Sequence, residues 1–273
     1  MKRIFIYLVF SLSMAACVKQ VSWDVPGGDS NMIAVDGLLT NERKSQTIVI
    51  NHPVNGLNDT AIPVRGATVI IHTADSVWNL SEEPAGSGKY KTPSTFIAIL
   101  NKTYTLNIYS GSNVYSAKAA MVPGLVFPQL AYAQNDNDTL YHIEYIASGF
   151  SRSEPAMWEV LLDWTKVPAY LQADTSKCKA RLLFYSLPTL DVSEIFAPVV
   201  EQVSFPKGTK ITERRYSLAP QHAEFIREML LETSWQGGLF PTVAANVSTN
   251  LSAGAVGFFG VCSVNELSMI VAK

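Results

Sequence analysis

The stretch Lys-Thr-Tyr-Thr-Leu-Asn-Ile-Tyr at residues 102–109 sets the fold class of this chain. Polar and apolar side chains alternate along it, which is the period of a strand with one buried and one exposed face. Gly-Ser-Asn follows at 111–113, and residues 114–117 then resume a strand pattern. Glycine beside polar residues between two such runs is typical of a hairpin turn. The sequence therefore predicts an antiparallel β-hairpin here.

The same pattern extends toward the N-terminus from this hairpin. Runs rich in valine, isoleucine and threonine recur there, separated by short polar or glycine-containing turns, and such runs are typical of strands. They lie at residues 32–40, 46–51, 66–73 and 76–80. Many short strands over so short a length favour an antiparallel sandwich. Residues 32–122 are therefore predicted to form a β-sandwich domain in a mostly-β protein.

The second part, residues 123–273, is predicted to be β-rich and to hold one clear amphipathic helix near 220–235. Pro220 suits a first helical position, and the Gly-Gly pair at 237–238 suits a stop. Between them apolar side chains recur at helical spacing and form a stripe that we expect to pack onto a sheet: Phe225, Ile226, Met229 and Leu230. Strands are predicted at 141–147, 158–164, 180–185, 199–205, 210–218 and 256–264.

The first residues have the order of a secretory signal peptide. Lys2 and Arg3 give a positive start, an apolar run covers residues 4–10, and small residues lead to Cys17. The apolar segment before the cysteine is too short for a bilayer span, which needs about 20 residues. Met-Ala-Ala-Cys at 14–17 resembles the lipobox of bacterial lipoproteins, with methionine where leucine is commoner.

This N-terminal pattern predicts a lipid anchor. Residues 1–16 are interpreted as a lipoprotein signal peptide, and Cys17 as the lipid attachment site and first residue of the mature protein. An ordinary secretion signal with a chance cysteine is the alternative. Residues 17–31 are polar and contain a Gly-Gly pair, so we expect a tether between lipid and fold. The protein would then sit on a membrane without crossing it.

Composition excludes several classes of function. Lys and Arg total 21 against 23 Asp and Glu, so the net charge of −2 offers no basic surface for nucleic acid. None of the four histidines stands at metal-ligand spacing from another histidine or a cysteine. The sequence also has no nucleophile elbow, no phosphate-binding glycine loop and no His-Glu-x-x-His motif. We expect no metal, no cofactor and no enzymatic activity.

Two cysteines remain if Cys17 carries lipid. An exported protein meets an oxidising compartment, so Cys178 and Cys262 could form a disulfide. Cys262 lies inside an apolar run and could equally be a small buried hydrophobic residue. The sequence leaves both interpretations open.

Three short motifs are candidates for modification. Asp-Thr-Ala at 59–61, Asp-Ser-Val at 75–77 and Asp-Thr-Leu at 138–140 resemble the Asp-Ser/Thr-apolar sequon that some Gram-negative bacteria use for O-glycosylation outside the cytoplasm. The candidate hydroxyls are those of Thr60, Ser76 and Thr139. Thr60 and Thr139 lie in polar segments and are the better candidates.

The end of the chain carries a family resemblance. After the helix come Gly-Gly-Leu-Phe at 237–240, a polar loop, and a Gly-Phe-Phe strand at 257–259. This order, with the first strand and turn at 34–42, resembles the bacterial lipoprotein family named domain of unknown function 4249. Residues 63–69 and 102–108 resemble it as well. The resemblance implies a Gram-negative outer-membrane lipoprotein with an immunoglobulin-like N-terminal sandwich, whose genes often adjoin those of TonB-dependent receptors.

These observations lead to a function hypothesis with one rival. We expect a non-enzymatic accessory or binding component of a TonB-dependent nutrient-uptake system, anchored in the outer membrane and contacting such a receptor. The alternative is a stand-alone surface module that binds carbohydrate or acts in adhesion. Some of the five tryptophans could line a sugar platform, although core packing explains most of them. The ligand, and whether the protein faces the periplasm or the exterior, stay open.

Overall fold

The computed structural model describes residues 32–54, 59–145, 154–187, 203–233 and 247–272. The predicted signal peptide, Cys17 and the tether lie outside the described residues. Helix α1 spans Pro220–Thr233, and two short 3-10 turns span Pro168–Tyr170 and Thr175–Cys178. The strands are β1 (Ile33–Thr40), β2 (Thr47–His52), β3 (Ile62–Pro63), β4 (Thr68–His72), β5 (Val77–Asn79), β6 (Ser81–Glu82), β7 (Lys89–Lys91), β8 (Thr103–Ser110), β9 (Asn113–Ala120), β10 (Ala131–Gln134), β11 (Tyr141–Tyr145), β12 (Ala156–Asp163), β13 (Lys179–Ser186), β14 (Lys210–Ser217) and β15 (Ala255–Ile270).

The predicted hairpin around residue 111 is confirmed. Strands β8 and β9 pair antiparallel through their full lengths. Gly111, in the turn between them, has a φ of +58°, a left-handed conformation that glycine adopts without a steric penalty. With β4 and β5 the hairpin forms a four-stranded sheet in the order β5-β4-β8-β9.

A nine-stranded sheet forms the rest of the framework, in the order β13-β12-β14-β15-β1-β2-β7-β6, with β3 paired to β2. Side chains from β1, β2 and part of β15 meet those of the four-stranded sheet in one core. Ile48, Ile71 and Leu106 are among its fully buried members. The mostly-β class, with a sandwich-like arrangement of sheets in the N-terminal part and a β-rich second part, is confirmed. One pairing within the sandwich is parallel, that of β1 with β15.

Strand β15 joins the two parts of the chain. Its first half pairs with β1, from Ala255 to Cys262, and its second half pairs antiparallel with β14, from Ser263 to Ile270. The strand predicted at 256–264 is therefore only half of the observed one. A boundary between 122 and 123 does not separate two independent sheets, because a strand near the C-terminus completes the N-terminal sandwich.

The close approach of β15 to β1 depends on a glycine. Gly257 has a φ of +95°, and a Cβ atom placed there would lie 2.1 Å from the carbonyl oxygen of Val35. Real Cβ atoms do not come so near a backbone oxygen, and non-glycine residues rarely adopt this φ. Glycine at 257 thus allows the parallel pairing.

The two faces of the β12–β14 region are covered by different elements. The β10–β11 hairpin and the segment before it cover one face, where Phe127, Val160 and Ile211 are buried. Helix α1 lies on the other face and confirms the predicted amphipathic helix. Its predicted stripe needs one correction, because Ile226 is buried whereas Met229 is 37% exposed.

The strand predicted at 199–205 is mostly untested. Residues 199–202 lie outside the described residues. Of the rest, Phe205 forms an isolated bridge to Tyr141 and belongs to no longer strand. Its ring is fully buried in the core of the second part.

Candidate functional site

The structure contradicts the disulfide between Cys178 and Cys262. Both are buried free thiols. The Trp164 N–H donates to the Cys178 carbonyl, and the Val271 N–H donates to the Thr209 carbonyl. Through the pairings of β13, β12, β14 and β15, Cys178 and Val271 therefore lie at the same height in the sheet. Cys262 precedes Val271 by about nine residues along β15, which corresponds to about 30 Å at ~3.3 Å per residue. A disulfide needs Cα atoms within about 7 Å, so the sheet register keeps these thiols apart.

The candidate glycosylation hydroxyls differ in exposure. Thr60 and Thr139 are exposed, the latter in the turn between β10 and β11. Ser76 is half-buried, and its hydroxyl donates to Asp75 Oδ1 at 3.3 Å. Modification stays a prediction at all three. Thr60 and Thr139 present the more accessible hydroxyls, and glycopeptide mass spectrometry of the protein from its host would test them.

A strap formed by residues 124–130 crosses the sheet beside β14 and β15. Asn265 Nδ2 donates to the carbonyl of Leu125 at 2.7 Å, and the Leu130 N–H donates to Glu213 Oε2 at 3.0 Å. Gly124 lies so close to the sheet that a Cβ atom there would be 2.6 Å from Ser263 Oγ. Two side-chain hydrogen bonds and a tight glycine contact therefore hold the strap in place.

The strap forms one wall of a depression that we call the Arg215 pocket. Its volume is about 270 Å³. Phe127 meets the Trp158 ring edge to face, with centroids 4.8 Å apart, so the apolar wall is well packed. The pocket is lined by Leu125, Val126, Phe127, Pro128, Glu154, Ala156, Trp158, Ser186 and Arg215.

Arg215 is an unusual member of this wall because it is a buried cation. Its residue is 6% exposed, and its guanidinium lies 5.4 Å from the Trp158 ring centroid. It donates to Ser217 Oγ at 2.8 Å and to the carbonyl of Glu154 at 3.4 Å. No carboxylate among the described residues lies within 4.0 Å of it. Burial lowers the pKa of Arg215, although the charge of Glu154 acts to raise it.

Glu213 points to the same face as Arg215, beneath the strap. It is fully buried, Oε2 accepts the Leu130 N–H, and Oε1 has no partner among the described residues. Burial raises the pKa of Glu213 to about 7, although the Leu130 hydrogen bond acts to lower it. Near neutral pH this side chain therefore takes up a proton readily.

The opposite face of the same strands carries a network of paired charges. Arg214 binds Glu159 at 2.8 Å and Glu42 at 2.5 Å. Arg181 Nε donates to Glu159 at 2.6 Å, and the Tyr216 hydroxyl donates to it at 2.8 Å. Burial acts to raise the pKa of Glu159, but these partners lower it overall. Because its carboxylate oxygens already accept three hydrogen bonds, we assign this network to stability.

A second depression lies at one edge of the N-terminal sandwich, and we call it the sandwich-edge groove. Its volume is about 410 Å³, and most of its lining side chains are polar. Lys91 and Glu83 form a loose ion pair across it at 3.7 Å. It is lined by Ser45, Asn79, Ser81, Glu83, Lys91, Thr92, Pro93 and Ser94.

His222 and Cys262 form the closest approach to a catalytic thiol–imidazole pair in the described chain. His222 Nδ1 is 3.7 Å from Cys262 Sγ, and the ring stacks on Phe258 with centroids 4.7 Å apart. Burial lowers the pKa of His222 to about 4 and raises that of Cys262 to about 12. Both groups are thus neutral near pH 7, whereas a catalytic cysteine requires a thiolate.

The described residues contain neither a cluster of metal-ligating side chains nor a helix suited to cross a bilayer. No three side chains of His, Cys, Asp or Glu within them are grouped as metal ligands. No helix within them has the length and apolar character needed to cross a bilayer.

Sequence reasoning missed the Arg215 pocket. Polar and apolar side chains of β14 do not separate onto two faces. Glu213 and Arg215 lie on the same face as the buried Ile211. A polar side chain in such a pattern normally indicates the solvent face. The expectation that core packing explains most of the tryptophans agrees with Trp158 and Trp164, which are both buried.

The match to known families agrees with the resemblance read from the sequence. A family model described as domain of unknown function (DUF4249) matches residues 18–268. No curated protein matches the chain. The matched span includes the sandwich, the strap, the Arg215 pocket and nearly all of β15. This chain belongs to the family of domain of unknown function 4249.

Proposed function

We propose that the chain is a non-enzymatic, lipid-anchored outer-membrane protein that binds a ligand as an accessory component of a TonB-dependent nutrient-uptake system. The observation that carries the binding role is the Arg215 pocket. There a buried cation, with no carboxylate partner among the described residues, stands beside an apolar wall. A few polar groups placed in an apolar depression are typical of ligand sites.

The N-terminal sequence supports the anchored location in this proposal. A lipid on Cys17 would hold the protein at the membrane, and residues 17–31 would act as a tether. A flexible tether of this length spans ~20 Å root-mean-square. The folded part could therefore lie against a receptor in the same membrane, where shared anchoring raises the effective concentration and a modest interface suffices.

The proposal is tested in the native host by deletion of the gene and complementation. We expect slower growth on the nutrient imported by its partner TonB-dependent receptor, restored by the parent gene but not by Cys17→Ala. Affinity purification from detergent-solubilised outer membrane should recover the receptor. Normal growth of the deletion strain together with no receptor in the purified material would contradict the accessory role.

A stand-alone carbohydrate-binding or adhesive module is the second candidate, and the sandwich-edge groove favours it. Hydroxyls of Ser45, Ser81 and Ser94 and the amide of Asn79 line this groove, and such groups suit a polyhydroxylated ligand. A glycan array probed with the purified protein would test this role. Binding that is lost in Asn79→Ala but kept in Arg215→Gln would assign the sugar to the groove rather than to the pocket.

A further inference from the structure

We propose that the Arg215 pocket recognises the carboxylate of a small organic acid, whose carbon body lies against Leu125 and Pro128. This inference rests on the proposed binding function and names the ligand chemistry of that site. It follows from three features of the pocket: an unpaired buried cation, a fixed donor geometry and a small apolar wall.

The buried cation is the first feature. Arg215 is 6% exposed, and the described residues offer it only a hydroxyl and a backbone carbonyl as acceptors. Burying a charge without an opposite charge is costly, and nearly all buried arginines are paired. A guanidinium has five N–H donors, so two hydrogen bonds leave donors for a further acceptor. An anion entering the pocket would supply the missing charge.

The geometry of the donors favours a planar anion. The guanidinium is held on one side by the Trp158 ring and tied by its bond to Ser217, so its orientation is set before a ligand arrives. A fixed guanidinium fork matches the two oxygens of a carboxylate in a bidentate pair. Trp158 Nε1 is a second donor in the same wall, with no acceptor among the described residues.

Size and polarity limit the rest of the ligand. A volume of about 270 Å³ lies just below the range of typical ligand pockets, so one small body fills it. Pro128 is exposed and Leu125 is half-buried, so these two present apolar surface to that body, whereas Phe127 and Ala156 are buried. The Glu154 carboxylate, whose charge acts on Arg215, belongs to an exposed residue of the pocket lining, so solvent screens it.

The test is a titration of the full chain, purified in detergent, with pairs of ligands that differ in charge. D-glucuronate is compared with D-glucose, and N-acetyl-leucine with N-acetyl-leucinamide, by calorimetry or ligand-observed NMR. We expect at least one acid to bind about tenfold or more tightly than its neutral partner, the low end for hydrogen bonds to a charged group. The acid that binds shows whether the carbon body is a sugar ring or an aliphatic chain.

Substitutions assign the binding to the pocket. Arg215→Gln should weaken binding of the acid about tenfold or more and leave that of the neutral ligand unchanged. Val126→Asp keeps Arg215 and adds a negative charge at a rim residue that is 96% exposed. It should weaken binding of the acid severalfold without unfolding the chain. Arg181→Gln removes an exposed arginine from the other face and should leave binding unchanged.

Several results would overturn the assignment. They are equal affinity for acid and neutral partner, no binding of either acid up to about 10 mM, inorganic phosphate binding as tightly as the better acid, and full binding in folded Val126→Asp. These outcomes are independent of receptor recovery and growth. Carboxylate binding without a receptor would refute the accessory role alone, whereas recovery of the receptor without carboxylate binding would refute this inference alone.

Discussion

Replacing Glu213 by glutamine should change how the stability of the protein depends on pH. The side chain is fully buried, and burial raises its pKa from 4.5 to about 7. Between these values the folded chain holds a proton that the unfolded chain has released, so the free energy of unfolding falls as pH rises. This contribution is complete below pH 4.5 and is lost as pH rises through about 7. Glutamine stays neutral throughout and cannot show this loss.

The magnitude follows from the size of the shift. Each pKa unit corresponds to about 1.4 kcal/mol, so the parent should lose about 2–3 kcal/mol between pH 5 and pH 8 through this carboxyl. Glu213→Gln should therefore gain about 2–3 kcal/mol relative to the parent over the same interval. Any fixed cost of the amide, such as an unpaired N–H where Oε1 now lies, cancels in this comparison between the two pH values.

The assay is denaturant unfolding of parent and variant at pH 5 and pH 8, followed by tryptophan fluorescence. Glu224→Gln, at an exposed position on α1, is the matched control. It should change the free energy of unfolding by the same amount at both pH values. Parallel pH dependence in parent and Glu213→Gln would refute the reasoning, because it would mean that this carboxyl does not change its protonation between pH 5 and pH 8 in the folded chain.

Three other predictions concern the backbone, the thiols and the anchor. Gly257→Ala should lower the free energy of unfolding by about 2 kcal/mol or more, whereas Gly111→Ala, also at positive φ but with nothing within 4 Å of a new Cβ, should cost clearly less in thermal or denaturant unfolding. Intact-mass analysis after alkylation of the denatured chain should show Cys178 and Cys262 labelled equally with and without reductant, and two labels fewer without it would restore the disulfide. The Cys17→Ala protein should be absent from the membrane fraction and should lack the mass of the lipid. Unchanged fractionation would contradict lipidation.

Local pattern determined the elements of this protein. The alternation at 102–109 and the turn after it specified the β8–β9 hairpin. Successive side chains of a strand point to opposite faces, so every second one enters the core. Helix α1 was equally predictable from the sequence, because its signals, Pro220 and an apolar stripe, lie within the helix itself. The family was recognisable from several loose motifs in a fixed order.

Long-range pairing decided what the sequence left open. The parallel contact of β15 with β1 joins residues more than two hundred positions apart, and no local signal encodes such a partner. The antiparallel pairings of β13 with β12, β12 with β14 and β14 with β15 fix the sheet register that separates Cys178 from Cys262. The Arg215 pocket arises because a strap from residues 124–130 covers a face of β14 that alternation alone would assign to solvent. Alternation shows which side chains share a face, but only packing decides whether that face is covered.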